Sequence, residues 1–252
     1  MLDFNIKHQL LFLRIGSQCI PFASHPICRF NWKKHFEKEL KAVGRYIKEN
    51  GVRISMHPDQ FVLINALDKD IVKRSIAELQ YHCDLLDAMH LNVTAKIQIH
   101  VGGRYGDKKA ALNRFIERYK QLPISIKKRL VIENDDRLFD VADCLFIHQA
   151  TKIPILFDSF HHDCLNSGES MKSALEKCMA TWRKKDGIPM IDYSSQEPGG
   201  RKGKHATHID EMLFRKFLEQ VQGLNFDMML EIKDKEKSAL LAKKIYKNLN
   251  HE

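Results

Sequence analysis

Short apolar runs recur along the chain, and most close on a residue able to bind a metal. Ile97-Gln98-Ile99-His100-Val101-Gly102-Gly103 is the clearest: apolar and polar positions alternate, then a histidine and a glycine pair follow. Alternation of that kind reads as a buried strand. Ser55-Met56-His57-Pro58, Leu130-Val131-Ile132-Glu133-Asn134, Ile155-Leu156-Phe157-Asp158 and Met228-Met229-Leu230-Glu231 repeat the design.

Between the runs the period changes from two to that of a helix. Leu10 to Ile15 is the first strand, followed by Gly16-Ser17 and a loop containing Pro21. Asn31 to Asn50 reads as one amphipathic helix, with Asn31 as cap, Phe36, Leu40, Val43 and Ile47 as its stripe, and Gly51 as its end. Val52 to Met56 is a strand, and a long helix starts at Asp68 or Asp70 and runs through Leu86. Strand Ala95–Val101 precedes helix Lys108–Gln121; strand Leu130–Glu133 precedes helix Val141–Gln149. Strand Ile153–Asp158 leads to helix Ser170–Trp182, and strand Pro189–Tyr193 to helix Ile209–Gln222. Strand Phe226–Ile232 and helix Lys235–Leu249 close the series.

Strict alternation of strands and helices implies parallel βαβ units, here in a single domain spanning 1–252. Seven units are readable, one short of a closed TIM (β/α)8 barrel. An open doubly wound sheet is the competing fold, but it gathers ligands at one crevice. Ligand-type residues at nearly every strand end suit a barrel, whose carboxyl-end face collects all the strand tips around one axis. The expected fold is therefore a TIM-type barrel with seven units in this chain.

The candidate metal ligands are His57, His100, Glu133, Asp158, His161, Asp192, His205 and Glu231. Imidazoles and carboxylates converging at strand ends suit divalent cations such as zinc or manganese. A single acidic residue at such a place is more often a helix cap, and Asn31, Asp68 and Asp70 read that way. So many carboxylates together would repel one another into protonation unless cations balanced them. Two or three ions in a shared site would do so, the usual equipment of phosphoester hydrolysis. His8, His35, His82, His90, His148 and His251 fall on helices or termini and read as bystanders, while His162 and His208 are ambiguous.

Charge sharpens the substrate class. Lys and Arg exceed Asp and Glu by nine, a surplus that suits a polyanion such as nucleic acid. Arg201, Lys202 and Lys204 form a basic run beside His205, and Arg104 and Lys109 add to the surface. Six cysteines show no CxxC pair and read as reduced thiols of a cytoplasmic protein. No apolar stretch of about 18 residues suggests a membrane span, and Met1-Leu2-Asp3-Phe4 does not read as a leader.

Longer motifs carry a family resemblance. Arg14-Ile15-Gly16-Ser17 with Ile20-Pro21-Phe22-Ala23-Ser24-His25-Pro26, then Met56-His57-Pro58-Asp59-Gln60-Phe61, Ile99-His100-Val101-Gly102-Gly103 with Tyr105-Gly106-Asp107-Lys108, Ile132-Glu133-Asn134-Asp135, Phe157-Asp158 before His161-His162, and Leu230-Glu231-Ile232-Lys233-Asp234-Lys235 resemble UV damage endonucleases, from about residue 3 to 245. That resemblance implies a TIM barrel related to the endonuclease IV group. It implies nicking of duplex DNA on the 5′ side of pyrimidine photoproducts, with a cluster of divalent metals, manganese first and zinc or magnesium as alternatives. Carried over, Glu133 bridges metals, His57 and His100 complete one ion's shell, Asp158 and Glu231 hold another, and His161 and His205 serve a third. Glu133, Asp158, Glu231 and Lys233 form the implied catalytic set. His25, Gln60, Phe61, Arg104, Tyr105, Arg201, Lys202 and Lys204 form the implied lesion and DNA contacts, with Gln60 and Phe61 inserted into the distorted duplex, where unstacking costs least.

The chain departs from the family pattern in three places. Met190 and Asp192 stand where a lysine and a histidine are usual; Asp192 keeps a donor, and favours a harder ion. Phe61 lacks the hydroxyl of the tyrosine found there in some members. The family's first strand has no counterpart, which predicts a barrel with two unpaired edges and an exposed core wall, closed in one arrangement by dimerisation. Competing readings are an abasic-site endonuclease, a sugar isomerase on the same scaffold, or an inactive remnant that binds damaged DNA.

Overall fold

The computed structural model describes residues 1–249; His251, read above as a bystander, lies outside them. Helix α1 (Leu2–Lys7) precedes β1 (Phe12–Gly16), and α2 (Trp32–His35) and α3 (Glu37–Glu49) precede β2 (Arg53–His57). Then come α4 (Lys69–Ala88), β3 (Lys96–His100), α5 (Lys108–Gln121), α6 (Ile124–Arg129) and β4 (Leu130–Glu133). They are followed by α7 (Val141–Thr151), β5 (Ile155–Asp158), α8 (Ser159–Cys164), α9 (Met171–Met179) and β6 (Met190–Tyr193). Helix α10 (Glu211–Gln220), β7 (Asp227–Leu230) and α11 (Glu236–Leu249) complete the order.

All strand pairs are parallel and the spatial order is the chain order, β1 to β7, as expected for a barrel and not for a doubly wound sheet. Outward positions such as Ile54, Ile97, Ile99, Ile132, Ile155, Phe157 and Ile191 are buried under the helical layer in the main core. Inside the barrel, Val131, Leu156 and Met190 form a separate apolar cluster, with Phe12 and Trp182 against it. Met190 thus fills the barrel interior with hydrocarbon.

The continuous helix expected over 31–50 is broken. Phe36 leaves the helical region (φ −97°, ψ 18°), so α2 and α3 meet at a kink. Its ring stands edge-on to both Phe30 and His35. Two short helices, α6 and α8, escape the periodicity because six residues cannot show a stripe. Most other expected boundaries lie within two or three residues of those observed.

Seven strands are present, and no ladder joins β1 to β7 among the described residues. The two strands nonetheless approach one another. Both are half-buried along most of their length, whereas β4, β5 and β6 are buried throughout. Side chains bridge the seam in place of backbone hydrogen bonds. Arg14 of β1 crosses to Glu231 just beyond β7, and Lys243 of α11 donates to the His8 carbonyl and to Gln9 Oε1. Below, Arg53 pairs with Asp227 at 2.6 Å. The core wall is partly covered there, not laid open.

Candidate metal centre

The strand register lifts the terminal donors into one layer. His100 lies beside Glu133, and Asp158 beside Asp192. Three groups of donor atoms result, each with its atoms within 4.8 Å of one another: His57, His100 and Glu133; Glu133, Asp158 and His161; and Asp158, Asp192 and Glu231. Glu133 and Asp158 are each shared between two groups, the placement a bridging carboxylate requires.

Backbone carbonyls set the histidine tautomers. His57 Nδ1 lies 2.8 Å from the Pro58 oxygen, His161 Nδ1 3.0 Å from the Asn134 oxygen, and His205 Nδ1 3.0 Å from the Glu231 oxygen. A carbonyl only accepts, so each Nδ1 carries a hydrogen; His57 thereby turns Nε2 to Glu133 at 3.5 Å, whereas His161 Nδ1 itself also faces Glu133 Oε1 at 3.2 Å and Asp158 Oδ2 at 3.5 Å. Asp158 divides its oxygens. Oδ1 accepts from the His161 backbone N–H at 2.7 Å and caps α8, the short helix that brings His161 into place. Asn134 locks the ends of β4 and β5 together, donating to the Asp158 carbonyl and accepting from the Asp158 N–H, both at 3.0 Å.

The donor set fits divalent cations. Glu133 Oε1, Asp158 Oδ2 and His100 Nδ1 are buried and make no well-formed hydrogen bond, the two oxygens sharing one imidazole, His161, at 3.2 and 3.5 Å. Such orphans are costly unless a cation meets them. Burial, joined by repulsion from Glu133 and Glu231, pushes the Asp158 carboxyl up to about 8 against the pull of His161. Burial and the neighbouring carboxylates raise Asp192 as well, despite Arg14. Burial would lower His161, but Asp158 and Glu133 overcome it and carry the imidazole up to about 11. Glu133 moves the other way: burial raises it, and the three surrounding histidines pull it well below the carboxylate range. Burial lowers His57 and keeps its ring neutral, as a ligand must be.

Sequence comparison places this architecture. The UV-endonuclease UvdE family model matches residues 1–251. The chain is 40% identical to a UV DNA damage endonuclease of Clostridium perfringens, over 99% of this chain and 62% of that protein. It therefore spans under two thirds of that relative's length. The crystal structure of SacUVDE superposes with a TM-score of 0.94 at 52% identity, covering 99% of this chain and 84% of that one. This chain belongs to the UV-endonuclease family. Endonuclease IV from Thermus thermophilus shares the fold alone, with a TM-score of 0.65 at 14% identity over 100% of this chain and 93% of that one.

The structure regroups the family-derived ligands. His57, His100 and Glu133 stand together as expected, and Asp158 and Glu231 share a group that also takes in Asp192. His161 joins Glu133 and Asp158 rather than pairing with His205. His205 belongs to none of the three groups; its ring stands 5.8 Å from that of His161 and 5.2 Å from Phe160. Lys233 is exposed beyond the end of β7, outside those groups.

The DNA-facing candidates lie in loops at the carboxyl ends of the strands. Gln60 is exposed, and Phe61 is 60% exposed, so Phe61 is a surface residue and not a core aromatic. Behind it the loop is held firmly. Ser75 Oγ accepts from the Leu63 N–H at 2.9 Å, Arg114 Nε donates to the Asn65 carbonyl at 2.6 Å, and Arg118 donates to the carbonyls of Ile64 and Ala66. Asn65 also ties this loop to the one after β3, bonding both the carbonyl and the N–H of Gly103. Gly102 adopts φ +114°, and a Cβ there would meet Asn65 Oδ1 at 2.2 Å, so only glycine fits. That second loop displays Arg104 and Tyr105. Arg201 and Lys202 are exposed and Lys204 half-buried on a turn closed by the Gln196–His205 bridge. His25 is exposed, its Nδ1 accepting from the Ile27 N–H.

Two polar residues of the site were not singled out from the sequence: Arg14 and Gln98. Gln98 Nε2 donates to Glu133 at 2.8 Å and to Asp192 at 2.7 Å. Arg14 donates to Asp192, Glu231 and Gln98. A signal for Gln98 existed: it lies two residues before His100 and so shares its face of the strand.

Proposed function

We propose that the chain is a divalent-metal-dependent endonuclease that nicks duplex DNA on the 5′ side of UV-induced pyrimidine photoproducts. The carrying observation is the trio of overlapping donor groups, each containing a buried atom without a hydrogen bond, at the strand ends of a family member. His57, His100, Glu133, Asp158 and His161 would hold the ions, with Glu133 in the bridging place. When bound, the metal supplies Lewis acidity and lowers the pKa of a water for in-line displacement at phosphorus. Mixed imidazole and carboxylate donors favour manganese over softer ions.

The chain's own groups supply position. Gln98 fixes the rotamers of Glu133 and Asp192, and the backbone carbonyls fix the histidine rings. Phe61, exposed on an anchored loop, would enter a duplex whose stacking a photoproduct has already weakened. Arg104, Arg201 and Lys202 are placed for the phosphate backbone, and the +9 formal charge suits the polyanion as a whole.

Ultraviolet-treated supercoiled plasmid incubated with the protein and manganese tests this. Nicks dependent on both irradiation and metal are expected, with Glu133→Gln leaving DNA binding and removing cleavage. Preferential nicking of an abasic duplex over an irradiated one would reassign the substrate. Affinity for irradiated duplex with no nicking under any divalent ion would make the chain a binding remnant.

A further inference from the structure

The three donor groups are not equivalent. The group of His57, His100 and Glu133 contains two buried atoms without a hydrogen bond, His100 Nδ1 and Glu133 Oε1, and that of Glu133, Asp158 and His161 contains Glu133 Oε1 and Asp158 Oδ2, which face no cation but the group's own His161 at 3.2 and 3.5 Å among the described residues. In the third group, Asp158, Asp192 and Glu231, the valences are largely taken. Arg14 Nη2 donates to Asp192 Oδ1 at 2.6 Å and to Oδ2 at 2.8 Å, and Gln98 adds a bond to Oδ2 at 2.7 Å. Arg14 Nη1 pairs with Glu231. The buried oxygen there without a hydrogen bond, Asp158 Oδ2, is the one the second group also offers, and the half-buried Glu231 Oε2 lies 3.6 Å from His205 Nδ1.

We propose that Arg14 is a resident cation occupying the Asp192–Glu231 corner, so that the centre loads two divalent ions rather than three. This rests on the metal-dependent reading above.

Charge supports the count. Glu133, Asp158, Asp192 and Glu231 bring four negative charges when ionised. Two divalent ions and one guanidinium bring five positive, and three ions with the guanidinium bring seven. A cluster with its carboxylates buried or half-buried tolerates the first imbalance far better than the second. A guanidinium cannot shed its proton to make room, unlike a lysine. Among the described residues its one other acceptor is Gln98, inside the same network. Its side chain is only 17% exposed, so withdrawing it would strand a charge. Asp192 then serves chiefly as the counter-ion of Arg14.

The test counts ions. The full chain is stripped with chelator, loaded with excess manganese, desalted and assayed for metal by mass spectrometry, with a calorimetric titration alongside. Two ions per wild-type chain are expected, and three in Arg14→Gln. Asp192→Asn should still hold two. Three ions in the wild type overturn the inference and leave the metal reading standing. A fall to one in Asp192→Asn would make Asp192 a ligand of a bound ion, and also overturns it. Two ions in a folded Arg14→Gln show that Arg14 blocks nothing, and overturn it equally. No ion bound by the wild type sinks both readings. The wild-type and Asp192→Asn counts decide the matter even if Arg14→Gln fails to fold.

Discussion

At Gln98 one side-chain amide spans two carboxylates, Glu133 and Asp192, and neither is a neighbour in sequence. Removing it leaves Asp192 held by Arg14 but frees Glu133 to rotate. Gln98→Ala is therefore expected to weaken manganese binding about 10- to 100-fold, the range for groups that orient ligands without touching metal, while secondary structure by circular dichroism is unchanged. Protons report on the same cluster. Asp158, raised to about 8, and His161, raised to about 11, both hold protons near neutrality, and an ion must displace them. A raised pKa means the proton competes better at low pH. Manganese affinity should thus tighten as pH rises from about 6 to about 8, with proton release on binding. Calorimetry in two buffers of different ionisation enthalpy measures that release; binding that is independent of pH would contradict the assigned protonation.

Elements matter here chiefly through their ends. Strands β2 to β5 end on a donor, β6 carries Asp192 one residue before its end and β7 has Glu231 just past it, and the next segment fixes the donor's direction. Helix α8 is the plainest case: Asp158 caps it, and the cap places His161 three residues on, back over the same carboxylate. The loop after β2 works differently. Its base is tied by Ser75, Arg114 and Arg118, while its tip exposes Gln60 and Phe61. An exposed tip on a fixed base makes a clean prediction. Phe61→Ala should change stability by no more than about 0.5 kcal/mol in a urea melt, since no core contact is lost. It should lose most of the preference for irradiated over intact duplex in a competition assay. An unchanged preference would remove Phe61 from lesion recognition.

For the whole molecule, the seven-stranded barrel leaves a seam that side chains cross and backbone does not. Its basic surface acts at the same scale, because phosphate contacts add up over the face. Replacing Arg201 and Lys202 together by alanine should lower the slope of log affinity against log salt by about two, with little effect on manganese content. Fluorescence anisotropy across a salt series would show it, and an unchanged slope would place DNA elsewhere. Much of this architecture was legible in the residues. Alternation with period two marked β3 and its neighbours, and His57, His100, Glu133 and Asp158 at their ends predicted a metal centre. The kink at Phe36 and the helix α8 were not legible, because ring packing decides the first and a single cap the second. Sequence by itself determined which side chains share a face of each strand, because successive residues point to opposite sides. Only the tertiary structure decided which donors meet: register between strands sets heights around the barrel, and it alone put Arg14 of β1 against Asp192 of β6 and Glu231 beyond β7.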